Sequence, residues 1–324
     1  MRQLTFREAI QEAIAEEMER DSTVFMMGEN IAASGGVYQG TKGLLEKFGE
    51  GRILDMPISE SGFVGAGVGA ALLGTRPVID LMFNDFLPLV MDHLVNHAAK
   101  MRYMYGGQAT VPMVIRTFFG AGTRTGCSHS QSLEAYVIHC PGLKVVMPST
   151  PADAKGLMKS AIRDNDPVVF FEHRLLYSVK GAIPEGEHIV PLGQADVKRK
   201  GSDVSVVATG RMVYKALEAA AELAQGGIEM EIIDPRSLLP FDCQTLMESV
   251  KKTGRLLIVH EACKTGGFGA EIAAMVAKEA FGYLDAPIER IAAPDIPVPV
   301  SPTLEDQYIP QKEEIVATVK KMVA

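Results

Sequence analysis

Short apolar, β-branched runs alternate with helical stretches along almost the whole chain, and this alternation limits the fold more than any other feature. Strands each followed by a helix cannot pair as hairpins; they cross over, and the expected product is parallel sheet covered by helices. In the first half, strands are expected near Val24–Met27, Ile53–Met56, Pro77–Met82, Met113–Thr117, Lys144–Met147 and Val168–Phe171. Helices lie between them, including Phe86–Arg102 and Ala152–Asp164. From Tyr177 to Lys200 the pattern lapses into Gly, Pro and charged residues, which reads as a linker. Alternation resumes with strand Val204–Ala208, helix Val213–Gln225, strand Glu229–Ile233 and helix Cys243–Lys252. Strand Leu256–His260, helix Gly269–Phe281 and strand Ile288–Ile291 follow, before a proline-rich tail with a last short helix. A chain of 324 residues exceeds the usual size of one core. The expectation is an α/β protein of two parallel-sheet domains, residues 1–185 and 186–324.

Charge and cysteine usage exclude several classes. The net charge is −8 and no block of Lys or Arg makes a basic stripe, which argues against nucleic-acid binding. No apolar run has membrane-spanning length. The N-terminus reads as a helix rather than a signal peptide, because Thr5 and Glu8 form a capping-box pattern ahead of Ala9, Ile10, Ala13 and Ile14. The four cysteines, Cys127, Cys140, Cys243 and Cys263, are scattered without paired spacing, as expected in a reducing cytoplasm.

The segment from Pro57 to Gly74 carries the first candidate site. Gly65-Ala66-Gly67-Val68-Gly69-Ala70 nearly spells the dinucleotide fingerprint, with Asp80 placed like a ribose-binding acid. That fingerprint needs its first glycine to turn the chain directly after a strand, whereas Pro57 to Ser61 intervene here. Gly62, Gly65 or Ala66, Gly69 and Leu73 instead recur at helical spacing. Each helical Gly costs roughly 1 kcal/mol against Ala, so a close packing contact is expected in return. Glu60 opens this helix. An acid there ordinarily just complements the positive helix end. Pro57, Ile58, Phe63 and Val64 predict an apolar setting, which favours the neutral over the charged form of an acid.

Among the histidines, His93 and His97 stand four apart beside Asp92, a metal-ligand spacing. The glutamate of the zinc-protease motif is replaced by Leu94, and a structural pair is the preferred reading. His129 sits in Gly126-Cys127-Ser128-His129-Ser130-Gln131, a loop following a parallel strand, where such folds place chemistry. A solvent-exposed loop histidine is its ordinary alternative. His139, His173, His188 and His260 carry no comparable context, and the absence of G-x-S-x-G argues against a serine hydrolase.

Taken together, Glu60 with its glycine helix, Leu81-Met82-Phe83-Asn84-Asp85-Phe86, Asn96-His97-Ala98-Ala99-Lys100, His129-Ser130-Gln131 and Pro141-Gly142-Leu143-Lys144-Val145-Val146 carry a resemblance. With Asp153-Ala154-Lys155-Gly156-Leu157, Asp234-Pro235-Arg236 and Leu304-Glu305-Asp306, the chain resembles the β subunit of the thiamine-diphosphate-dependent first component of 2-oxo acid dehydrogenase complexes over essentially its whole length. Met101 to Gly107, Ile115-Arg116-Thr117 and Gly120-Ala121-Gly122 look most like the acetoin dehydrogenase branch. His93 and Ser128 depart from the residues common there, which bears on substrate preference.

The resemblance implies a transketolase-like pyrimidine-binding domain followed by a transketolase C-terminal-like domain. It implies that Glu60 hydrogen-bonds N1′ of the cofactor's pyrimidine, that Ile58, Met82 and Phe86 line that ring, and that His129 assists acyl transfer to lipoamide. Met113, Ala161, Asp164 and Asp166 match a structural potassium site. The Gly-Asp-Gly stretch that holds magnesium and diphosphate is absent from the chain, which implies a separate α subunit, an α2β2 heterotetramer and a dihydrolipoyl acyltransferase core as partners. The substrate is implied to be acetoin, with pyruvate or a branched-chain 2-oxo acid as alternatives. Other classes are a nicotinamide dehydrogenase and an inert scaffold subunit.

Overall fold

The computed structural model describes residues 2–324. The chain folds into two compact units, one of Met1–Phe119 with Tyr136–Leu192, the other of Gly120–Ala135 with Gly193–Ala324.

In the first unit six parallel strands lie in the order Lys144–Val146, Val168–His173, Val114–Phe119, Arg76–Phe83, Val24–Gly28, Ile53–Asp55. The central strands are buried along their length, as strands covered by helices on both faces must be. The expected strands all form, each within a residue or two of its expected ends. The Phe6–Arg20 helix starts as its sequence predicts. The Thr5 hydroxyl accepts from the Glu8 N–H at 3.2 Å, and the Glu8 carboxylate accepts from the Thr5 N–H at 2.8 Å. This helix packs on the Pro151–Arg163 helix through a row of ion pairs, with Lys155 and Lys159, both buried, reaching Glu16 at 2.7 and 2.8 Å.

Two expectations for this unit need correction. The stretch expected as linker contains a strand, Lys180–Ile183, paired antiparallel with Arg2–Thr5. Its sequence, Lys-Gly-Ala-Ile, has no period of its own; main-chain pairing with a distant partner forms it. The expected continuous helix over 86–102 is instead a turn at Asn84–Phe86, an α-helix at Leu87–Met91, a π-helix at Asp92–Ala98 and an α-helix at Ala99–Met104. A π segment adds a residue to the turn, which no apolar spacing announces.

The second unit holds five strands in the order Glu289–Ala293, Leu256–Cys263, Val204–Ala208, Met230–Asp234, Asp196–Arg199, all parallel except the last. That antiparallel edge strand also lies in the expected linker. Helices Met212–Ala224 and Lys312–Val323 pack together over Val206, Ile232 and Val259 to form the core. The proline-bearing tail contains a short helix, Pro302–Tyr308, whose Glu305 is fully buried.

Candidate active-site residues

Strand Val24–Gly28 pairs with Ile53–Asp55 on one side and Arg76–Phe83 on the other, so the chain segments leaving their carboxyl ends emerge side by side. This is the edge at which parallel sheets place ligands. Glu29 follows the first strand directly, Glu60 opens the Glu60–Leu72 helix after the second, and Met82 lies at the end of the third.

Glu60 is half-buried at the first turn of its helix. The N-cap residue Ser59 gives no side-chain cap; its hydroxyl bonds the Pro57 carbonyl at 3.1 Å. The expected apolar wall is not formed by these neighbours within the chain. Phe63 and Val64 turn into the core, while Pro57 is exposed and Ile58 is 83% exposed. Only the outward-facing half of the prediction fails, because a strand-to-helix loop has nothing in its own chain to cover it. The nearest acid to matter is Glu29, which sequence reading missed. It is 7% exposed and one of its carboxylate oxygens is buried without a hydrogen-bond partner. Burial first, and the Glu60 charge second, push its carboxyl above the ordinary range, against a bond from the Ser59 N–H. The available signal was an acid directly after Gly28, at a parallel strand's carboxyl end.

Gly65 and Gly67 lie inside the helix, away from any strand-to-helix turn, and both are closely packed, whereas Gly69 on the expected face has open space beside it and Leu73 is exposed. A Cβ on Gly67 would fall 2.4 Å from Cδ1 of Ile79, and one on Gly65 would fall 2.9 Å from Cε1 of His93. Both close approaches are made by this chain itself.

Met82 has φ of 61°, in the left-handed region that a long side chain seldom adopts. A bulge between Asp80 and Phe83 sets this conformation. The Met82 N–H donates to Asp80 Oδ1 at 2.9 Å and its carbonyl accepts from Thr117 Oγ1 at 3.1 Å. Asp80 is in turn held by the buried Arg116 at 3.2 Å. Arg116 makes a two-pronged pair with Glu172 at 2.7 and 2.8 Å and donates to Tyr177 Oη at 2.8 Å. Such strain persists only where surroundings over-determine it. Phe86 ends the Asn84–Phe86 turn half-buried, its ring edge-on to Phe83 at 6.1 Å. Asn84, fully buried, fixes the turn by donating to the Phe118 carbonyl at 3.1 Å. The edge therefore offers one half-buried acid, a second acid coupled to it, an exposed aliphatic side chain, a strained methionine and an aromatic ring. Such a set suits gripping a protonatable heteroaromatic ring.

His129 belongs to the second unit, in the loop Gly120–Ala135. Ser128 Oγ lies 3.1 Å from its Nδ1, and its carbonyl accepts from Thr125 Oγ1 at 3.1 Å. The loop is anchored by buried acids. Glu305 accepts from the Gly122 N–H at 2.8 Å and from Arg124 Nη1 at 2.7 Å, and Glu261 accepts from the Ala121 N–H at 2.7 Å. Glu134 lies at the loop's far end, where burial, with the Glu261 charge adding, pushes its carboxyl up to about 7.

The four residues expected to hold potassium have their oxygens engaged. Asp164 accepts from Lys144 Nζ at 2.6 Å and Asp166 from Arg102 Nη1 at 2.7 Å. The Met113 carbonyl accepts from the Val168 N–H at 2.9 Å and that of Ala161 from the Asp164 N–H at 3.3 Å. The side-chain oxygens are thus committed to cations of the chain, and a potassium ion here would rely on second lone pairs of main-chain carbonyls.

Comparison with known proteins also divides the chain in two, with the loop 120–135 falling inside the first match. Residues 2–180 match the family described as transketolase, pyrimidine binding domain, and residues 193–315 match transketolase, C-terminal domain. The chain is 52% identical to the acetoin:2,6-dichlorophenolindophenol oxidoreductase subunit beta of Cupriavidus necator, over 99% of this chain and 97% of that protein. It is 47% identical to the pyruvate dehydrogenase E1 component subunit beta of Rickettsia felis, over 99% of this chain and 98% of that protein. A solved structure described as a split gene transketolase, inactive beta4 tetramer, superposes with a TM-score of 0.82 at 24% identity, covering 99% of this chain and 98% of that one, and shares the fold.

Proposed function

Since the chain belongs to the family of β subunits of thiamine-diphosphate-dependent dehydrogenase first components, we propose that it supplies the pyrimidine half of an acetoin-cleaving active site. The observation that carries this reading is 52% identity along almost the full length of an acetoin oxidoreductase β subunit. When bound, thiamine diphosphate supplies a nucleophilic carbon able to cleave a C–C bond beside a carbonyl.

Glu60 holds a proton at N1′ of the pyrimidine, as general acid–base work requires of a group within hydrogen-bond reach. Phe86 offers a ring face, Met82 is pinned by the bulge, and the exposure of Ile58 suits a side chain whose partner lies outside this chain. His129 serves the later transfer of the acyl group to lipoamide. The chain has no Gly-Asp-Gly stretch, so magnesium and diphosphate fall to an α subunit in an α2β2 assembly. The second unit would meet the dihydrolipoyl acyltransferase core. A structural potassium ion among the carbonyls of Met113, Ala161, Asp164 and Asp166 belongs to the same reading. Among the described residues no helix is long and apolar enough to cross a membrane. The four unbridged cysteines suit a reducing cytoplasm.

Co-expression with the α-type partner and measurement of cofactor-dependent dye reduction tests the substrate. Acetoin should give the highest kcat/KM, with pyruvate and branched-chain 2-oxo acids at least about tenfold lower, a difference of about 1.4 kcal/mol in transition-state binding. A preference for either acid would move the protein to that branch of the family.

A further inference from the structure

The π-helical segment Asp92–Ala98 gathers three metal-ligating side chains that sequence spacing alone leaves apart. In an α-helix, His93 and His97 are neighbours at i and i+4, but Asp92, five residues from His97, is not aligned with it. A π turn bonds i to i+5 and brings position 92 over position 97. The outcome is a cluster in which one ligand atom from each of Asp92, His93 and His97 lies within 4.8 Å of the others. The two imidazoles stack with centroids 5.5 Å apart, and Asp92 Oδ2 stands 3.9 Å from His97 Nδ1. That nitrogen is shielded from solvent yet has no hydrogen-bond partner.

We propose that Asp92, His93 and His97 form a binding site for a divalent first-row transition metal of the zinc class. Two imidazoles and one carboxylate are the donor set such ions prefer, whereas magnesium and calcium favour oxygen donors. Tetrahedral coordination with bonds of 2.0–2.1 Å requires donors about 3.3 Å apart. Small rotamer changes close the remaining gap, because the Asp92 and His97 side chains are 68% and 43% exposed. The supporting contacts are already in place. Asn96 Nδ2 donates to Asp92 Oδ1 at 2.7 Å, orienting the carboxylate and leaving its second oxygen for the ion. Ser61 Oγ lies 3.0 Å from His93 Nε2. With His93 Nε2–H donating to that serine oxygen, the Nδ1 lone pair of His93 is left for the metal, the arrangement by which ligand histidines are usually held. The His93 ring fits there because it lies over Gly65, where any side chain would collide. Three protein ligands leave a fourth position open to water or to an exogenous ligand.

The site stands apart from the thiamine reading, although Ser61 is the residue after Glu60. Its test therefore reads metal binding, not turnover. The full chain, without a histidine tag and stripped with chelator, is titrated with Co2+ and followed by visible absorption and by calorimetry with Zn2+. One equivalent per chain should bind, with the intense visible bands of low-coordinate Co2+. Asp92→Asn, at an exposed position, and His97→Gln, at a half-buried one, should each weaken binding by at least about tenfold, since losing an outer-shell partner alone typically costs that much. His93→Gln should do the same, and circular dichroism melting checks that all three variants stay folded. No saturable uptake, or uptake unchanged in the His93→Gln/His97→Gln double variant, overturns the proposal. So does uptake that disappears only with Cys127→Ser, which would put the metal on the exposed thiol.

Discussion

An acid in the first turn of a helix normally contributes no more than about 1 kcal/mol by complementing the helix end. If Glu60 did only that, Glu60→Gln would change stability slightly and activity little. If it holds the proton at N1′, the amide keeps its size and fails at the chemistry. The expected loss in kcat is then about a hundred- to ten-thousandfold, with cofactor affinity much less affected. Hydrogen–deuterium exchange at C2 of the cofactor, in the assembly with the α subunit, isolates this step. Exchange at the wild-type rate would reduce Glu60 to a helix-end charge. Glu29 sharpens the contrast between the two roles, because its carboxyl is buried, lacks one partner and is pushed upward partly by Glu60 itself. Two acids sharing one edge need no such arrangement to support a helix.

At the scale of elements, the bulge at Met82 and the loop 120–135 are both positioned by buried charge. Arg116, 1% exposed, reaches Asp80 and Glu172 together, and removing one member of such a cluster leaves an uncompensated charge. The loop is held by Glu305, which accepts from Gly122 and Arg124. Glu305→Gln exchanges a charged acceptor for a neutral one and should cost about 1.5–3 kcal/mol of local stability. If the loop's task is to place His129, both Glu305→Gln and His129→Ala should slow acyl transfer to a lipoyl domain. Neither should slow C2 exchange. Stopped-flow measurement of the two steps separates a positioning effect from general damage, in which both steps would fall together.

For the whole molecule, the expectation follows from what the chain lacks in sequence. On the proposed reading, magnesium and diphosphate are held by the α subunit, since this chain carries no Gly-Asp-Gly stretch. The isolated chain should bind thiamine diphosphate weakly, with Kd in the millimolar range, where only a few kcal/mol of ring contact is available. Calorimetry that found micromolar, magnesium-dependent binding to the chain alone would contradict a split active site. The open side of Ile58 and the exposed Leu73, at 83% and 88%, are apolar surface consistent with a partner's approach to this helix and its entry loop.

Much of this was legible in the residues. Apolar runs at strand length separated by helical stretches fixed two parallel sheets, since crossover connections leave few alternatives. The Thr5–Glu8 capping box, the glycine helix after Glu60 and the family motifs were equally local. Local pattern could not announce the strands Lys180–Ile183 and Asp196–Arg199, whose sequences show no apolar alternation and which form by pairing with distant backbone. Nor could it show that Phe63 and Val64 point inward while Ile58 points out, because side-chain direction depends on where the loop meets the sheet. The π turn that sets Asp92 over His97, and the burial that couples Glu29 to Glu60, belong to the same class. Sequence determined most of the elements and the chemical types of the reactive groups. Tertiary structure decided which groups share a surface, because burial and charge coupling act through space between residues far apart in the chain.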